Sequence, residues 1–166
     1  SSTHFAERFK AIRFVKVEGG RIQCLDQDYF VQNADYNDFS GGFKRYYDLI
    51  PEHVFSDHLR DAVLGFMRLY DLPDGVILAQ IQRSVFSPQK PGLTRQQSTT
   101  GQGIHTDGLN HAMIVNLQRG RHIRGAHNQF HGKLDGTEPL CEPTVLGEGV
   151  ACAFKDNTIF HYVTPG

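Results

Sequence analysis

Three side chains in this sequence offer donor atoms at a spacing that suits a single metal ion. His105 and Asp107 sit two apart in Gly103-Ile104-His105-Thr106-Asp107-Gly108. In an extended segment, positions i and i+2 point to the same face, so an imidazole nitrogen and a carboxylate oxygen can converge there. Gly108 lets the chain turn straight afterwards. His161, within Thr158-Ile159-Phe160-His161-Tyr162-Val163, brings a second imidazole from a strand, with Ile159 and Val163 as an apolar wall on the same face. Two His and one carboxylate on one side of an octahedral ion leave the opposite positions open, which is the donor set of non-haem Fe(II) oxygenases. Such a site has a net positive charge. At such a site an anionic 2-oxo acid could chelate two open positions and leave the last for dioxygen, while the protein would supply positioning and a dry cavity. The spacing has a structural alternative. His105 and Asp107 also fit a surface turn, and His161 also fits a hydrogen-bonded core histidine; nine histidines make a chance His-x-Asp easy.

Other groups bear on the same chemistry. His127 and His131 have the i, i+4 spacing of a zinc pair, but Gly125 and Gly132 flank them and no acidic residue follows at motif spacing. A histidine-rich rim that includes His122 is the simpler expectation. Arg119, Arg121 and Arg124 read either as a solvated loop or as a fork for a carboxylate. On the strand expected at 112–117, Met113 and Val115 share one face with His111, and Ile114 and Asn116 take the other. His111 and Asn116 are candidates to hydrogen-bond an anionic co-substrate. Asp156-Asn157 reads as the turn feeding the His161 strand.

These residues need elements to hold them. Phe5, Phe9 and Ile12 recur at helical spacing, which predicts a short N-terminal helix. Phe14 to Val17 and Arg21 to Leu25 flank Glu18-Gly19-Gly20 as a hairpin. Gln32 to Gly42 should be loop. A helix is expected over Glu52 to Tyr70, with Val54, Phe55, Leu59, Ala62, Val63, Phe66 and Leu69 on one side, Pro51 at its start and Asp71-Leu72-Pro73 at its end. Strands are expected at 76–86, 112–117, 123–130, 150–154 and 158–163. Ser87 to Gly103, rich in Pro, Gln, Ser and Thr, has the length of a lid. Helix first and short strands after predict an α+β chain around an antiparallel sandwich or barrel.

Composition narrows the partners. The 166 residues fit one domain, with 39% hydrophobic and 21% charged residues and a net charge of −1. No basic surplus argues for nucleic acid, and no apolar run reaches membrane-spanning length. Cys24, Cys141 and Cys152 are odd in number and far apart, so they suggest idle thiols in a reducing cytoplasm. The sequence starts without Met and stops soon after His161, which suggests truncation, above all at the C-terminus.

Larger stretches carry a family resemblance. Gly103-Ile104-His105-Thr106-Asp107-Gly108, the strand ending at Asn116, Arg119, Ile123-Arg124-Gly125 and Phe160-His161-Tyr162-Val163-Thr164-Pro165 together resemble the 2-oxoglutarate/Fe(II) dioxygenases that include bacterial free L-isoleucine hydroxylase. The resemblance runs roughly from Leu78 to Pro165, with an echo at Phe43-Lys44-Arg45-Tyr46-Tyr47. It implies a double-stranded β-helix (jelly-roll) core with N-terminal helices packed on it, Fe(II) held by His105, Asp107 and His161, and 2-oxoglutarate and O2 as co-substrates. It also implies a small-molecule substrate, a free aliphatic amino acid, oxidised at an unactivated C–H bond by hydroxylation, desaturation or ring closure. The Arg segment around Arg45 and the lid are then candidates to bind the amino acid. The family's arginine a short way past the second His does not appear before Gly166, so either the chain is cut short or another cation serves; Arg83, in Gln80-Ile81-Gln82-Arg83, is then a candidate anchor for 2-oxoglutarate beside Asn116. Two alternatives stand against this reading: a cupin-like metalloenzyme that does not use 2-oxoglutarate, and a non-catalytic jelly-roll binding module.

Overall fold

A computed structural model of the chain describes residues 4–31, 42–87, 96–100 and 103–166. In chain order the elements are β1 (His4–Phe5), β2 (Glu7–Glu18), β3 (Arg21–Leu25), β4 (Tyr29–Phe30), β5 (Arg45–Tyr46), β6 (Asp48–Leu49), a 3-10 turn (Glu52–Val54), α1 (Asp57–Leu69), β7 (Gly75–Val85), β8 (Gln97–Ser98), β9 (Ala112–Val115), β10 (Asn128–His131), β11 (Ala151–Phe154) and β12 (Phe160–Val163). Among the described residues the chain is mostly strand with one α-helix, and its sheets are not closed. The helix expected at Phe5, Phe9 and Ile12 is instead strand. Two of the three residues of its supposed apolar face stay outside, Phe5 at 53% and Phe9 at 50% exposed, and only Ile12 is buried. The period that wins is two: Arg13, Val15 and Val17 are buried and alternate with outer residues along β2. Most of the loop expected at 32–42, and much of the lid expected at 87–103, lies outside the described residues.

The chain divides into two units. One comprises Phe9–Val31 and Phe43–Arg83. Its sheet is built around β2, which pairs antiparallel with β3, parallel with β6, and also with β7. The β2–β3 turn is Gly19-Gly20, closed by the pair Glu18 and Arg21, with φ of 56° and 74°. Positive φ at both positions is the hairpin geometry that glycine adopts without strain. The expected long helix is divided. Pro51 heads the 3-10 turn, and α1 restarts at the N-cap Ser56. The helix ends where Asp71 takes φ of 49°, with Leu72 N–H donating to Met67 O and Asp71 N–H to Arg68 O, the paired bonds of a Schellman cap. Val63, Phe66 and Met67 form the buried face of α1, whereas Leu69 is 64% exposed. Val63 and Met67 pack with Val17, and Ile22, Leu64, Leu72 and Ile77 surround them. Each such buried side chain contributes about 1.5–3 kcal/mol.

The second unit comprises the described parts of 1–8 and 84–166, with Gly42. Here β1 pairs parallel with β8, β9 antiparallel with β11, and β10 antiparallel with β12. Gln97 is buried, and its side-chain amide exchanges two hydrogen bonds with the main chain of Ser87, at 3.0 and 3.1 Å. β10 begins later than the strand expected at 123–130, because Gly125 and Ala126 both take positive φ, 66° and 49°. That kink is stapled by Arg119, whose guanidinium donates to the carbonyls of Ile123 and Gly125 at 3.2 and 2.7 Å. The turn after β11 carries the chain from the β9–β11 sheet to the β10–β12 sheet. Asp156 lies in that turn.

Candidate metal centre

His161 sits in the middle of β12, opposite Phe130 on β10. On its other side His105 forms an isolated bridge: His105 N–H donates to His161 O at 3.0 Å, and His161 N–H to His105 O at 2.8 Å. Directly opposed residues in an antiparallel pair point to the same face. The two imidazoles therefore lie together, with ring centroids 4.5 Å apart. Asp107 follows two residues on. Its Oδ1 is 3.9 Å from His105 Nε2 and its Oδ2 is 3.7 Å from His161 Nε2. Ligand atoms of the three residues all fall within 4.8 Å of one another, and this is the group of potential metal donors found among the described residues.

The protons are arranged to leave donors available. His105 Nδ1 is 2.8 Å from Gly103 O. A carbonyl only accepts, so Nδ1 carries the proton, and in the neutral ring Nε2 is then the nitrogen with the lone pair, on the Asp107 side. Burial holds the His161 imidazole below its ordinary pKa. The Asp107 carboxylate pulls it up, His105 pushes it down, and Asp156 pulls it up. Desolvation dominates, so a neutral ring is favoured, the form that binds metal. The His161 side chain is 12% exposed and that of Asp107 45%, so the cluster is most open to solvent on the carboxylate side. Phe154 packs on the His161 ring at 5.4 Å and on Phe130 at 5.3 Å, giving the imidazole an apolar backing. Two imidazoles and a carboxylate converging from one side form the mixed nitrogen and oxygen set that suits Fe(II).

Asn116 is tied into the turn before β11: its amide nitrogen donates to Leu146 O at 2.6 Å, and its main chain bonds Val150 and Gly149. Arg83 is exposed on β7, within the unit built on β2. Lys44 and Arg45 lie over the rings of Tyr29 and Phe30 at 4.5 and 5.6 Å. His127 and His131 do not share a helix; His131 is buried on β10. The three cysteines are free. No described helix is long and apolar enough to cross a membrane.

Asp156 is the residue that sequence reasoning undervalued. It is fully buried, accepts from the main-chain N–H groups of Asp107 and Leu109, and faces His161. Gly108, at φ of 76°, turns the chain between those two amides so that both reach one carboxylate.

Comparison with known proteins bears on the fold and the family. A crystal structure of a BsmA homologue from Methylobium petroleophilum PM1 superposes with a TM-score of 0.66 at 18% identity, over 98% of this chain and 63% of that one. The crystal structure of IDO from Bacillus thuringiensis gives 0.63 at 14% identity, over 95% of this chain and 65% of that one. The chain thus spans slightly less than two thirds of the length of either, and at these identities the likeness is one of fold. No curated protein matches the sequence. The sequence profile of the 2OG-Fe dioxygenases, in contrast, matches residues 3–166, nearly the whole chain. The chain belongs to the 2OG-Fe dioxygenase family.

Proposed function

We propose that this chain is an oxygenase that holds Fe(II) through His105 Nε2, His161 Nε2 and the Asp107 carboxylate, and oxidises an unactivated C–H bond of a small molecule. The observation that carries the reading is the convergence of these three donors within 4.8 Å in a chain matched along its length by the family profile. Iron, when bound, supplies the oxidation, with 2-oxoglutarate as reductant. The chain's own part is positional. The His105 to Gly103 bond fixes one imidazole's proton on the side away from the metal. Phe154 and Phe130 keep water from the back of His161. The exposed side of Asp107 leaves room for substrate.

The finer reading is a free aliphatic amino acid as substrate, hydroxylated in a cytoplasmic enzyme. Its support is the resemblance between Leu78 and Pro165 to oxygenases of that substrate class. Residues 1–166 are read as a single oxygenase domain whose β9–β11 and β10–β12 sheets contribute to a jelly-roll, supported by the match over 3–166. Arg83 and Asn116 remain the residues proposed for the 2-oxoglutarate carboxylates.

Incubation of anaerobically purified protein with Fe(II), 2-oxoglutarate, oxygen and an amino-acid pool tests the reading. Succinate and a product heavier by one oxygen are expected, and His161→Ala should reduce both to background. Absence of succinate, coupled or uncoupled, would remove the oxygenase assignment. Product without 2-oxoglutarate would favour the cupin-like alternative.

A further inference from the structure

Asp156 is a fully buried carboxylate, and among the described residues the basic side chain within 4 Å of its oxygens is that of His161 rather than a Lys or Arg. A charge in that position is costly unless donors surround it. Two main-chain amides supply part of the need. Asp156 Oδ2 accepts from Asp107 N–H at 3.0 Å and Leu109 N–H at 2.9 Å, and Oδ1 accepts from Asp107 N–H at 3.2 Å. Oδ1 also lies 3.6 Å from His161 Nδ1, which is buried without a hydrogen-bond partner. That separation is beyond a hydrogen bond, and a small rotation of the ring closes it. A buried ring nitrogen without a partner therefore faces a buried carboxylate that still has lone pairs to give.

We propose that Asp156 is the positioning residue of the metal centre: one carboxylate holds His161 in the Nδ1–H tautomer, leaving Nε2 bare toward Asp107, and fixes the main chain that carries Asp107. The inference rests on the reading of His105, Asp107 and His161 as metal ligands. It assigns to one side chain the geometry of two of the three. The second partner of a ligating histidine commonly sets both its tautomer and its orientation.

Asp156→Asn separates positioning from simple structural support. The two main-chain donors require an acceptor, so the amide oxygen takes the place of Oδ2. The amide nitrogen then takes the place of Oδ1 and points its hydrogens at His161 Nδ1. That nitrogen must accept, its proton moves to Nε2, and the metal-facing lone pair is lost. The two bonds to the Oδ2 position survive and only the longer contact from Asp107 N–H to Oδ1 is lost, so the protein should still fold.

The experiment uses the full chain, metal-free, with 15N-labelled histidine, and follows ring tautomers by long-range 1H–15N NMR and Co(II) binding by its absorption bands. Wild type should show His161 protonated at Nδ1. Asp156→Asn should show it protonated at Nε2, with a nearly unchanged thermal midpoint and Co(II) affinity lower by about 10–100-fold. Asp156→Ala should lose Co(II) affinity and thermal stability together. Wild-type His161 protonated at Nε2 would overturn the proposal, and this requires no variant to fold. So would an Asp156→Asn protein with unaltered tautomer and Co(II) affinity. Failure of the wild type to bind Co(II) would instead remove the metal reading of the triad, while the tautomer still decides the role of Asp156.

Discussion

Each unit is held by a different kind of burial. In the unit built on β2, the buried side chains are Ile12, Val15, Val17, Ile50, Val63, Phe66 and Met67, with Arg13 as the polar member. In the unit that carries the triad they are Ala6, Phe130 and Phe154 beside Gln97, Thr99, His131 and Asp156. The first is a helix on a sheet, and apolar area supplies its stability without fixing any atom to a fraction of an ångström. In the second, short strands carry buried polar groups: Gln97 is satisfied by Ser87 and Asp156 by the amides of Asp107 and Leu109, while Thr99 Oγ1 and both ring nitrogens of His131 are buried without a hydrogen-bond partner. Such networks specify geometry more than they add stability. That is the division expected of a scaffold and a site that must hold three donor atoms in register.

The largest way to break the contrast lies in the apolar unit. Ile12 is 1% exposed, in the middle of β2, opposite Leu49. Ile12→Ala should cost about 2–5 kcal/mol through lost burial and the cavity left behind. Urea unfolding would measure this, and Co(II) affinity of the folded variant should be unchanged. His161→Ala is the mirror case, with metal binding and turnover lost. If Ile12→Ala altered Co(II) affinity tenfold while the protein remained folded, scaffold and site would not be separable in this way.

What could be read from the sequence follows the same division. The Gly19-Gly20 hairpin was legible because β-branched and aromatic residues flank a pair that tolerates positive φ. The body of α1 was legible from the period of Val63 and Phe66, although its start was displaced by the turn behind Pro51. Phe5, Phe9 and Ile12 misled because three apolar residues at i, i+4 and i+7 also occur by chance on a strand with exposed aromatics. The start of β10 was hidden because nothing in the side chain of Ala126 announces φ of 49°. At the site, spacing suggested that His105 and Asp107 share a face. Asp156 was not legible, since its partners are main-chain amides 49 and 47 residues away and sequence patterns carry no record of those.

The polar unit has its own break point at Gly125. Its φ is 66°, and a Cβ there would collide with the carbonyl oxygen of Pro165. Gly125→Ala should cost at least about 1–2 kcal/mol from the left-handed backbone alone, and the collision pushes on the segment that follows β12. Unlike Ile12→Ala, it should lower thermal stability and Co(II) affinity together, because His161 lies on the strand being displaced. A variant with lower stability and wild-type Co(II) affinity would show that β12 is anchored independently of its C-terminal neighbour.

The smallest expected effect sharpens the account of β2. Lys16 and Glu18 pair at 3.0 Å on its outer face, with side chains 46% and 70% exposed. Three residues earlier, Arg13 is 6% exposed and donates to Ile50 O at 2.8 Å, to Leu25 O at 3.2 Å and to Asp26 Oδ1 at 3.2 Å. Both look like ion-paired strand cations, but water sees only one of them. The exposed pair gains little Coulomb energy in high dielectric and loses side-chain freedom, so Lys16→Ala should change stability by no more than about 0.5 kcal/mol, less at high salt. Arg13→Ala should cost well beyond that, because the Ile50 carbonyl would lose its buried donor. Chemical denaturation at two salt concentrations separates them. A cost above about 1 kcal/mol for Lys16→Ala, against a typical surface pair, would mean that the outer face of β2 is not simply solvated, and that apolar burial does not by itself account for the stability of this unit.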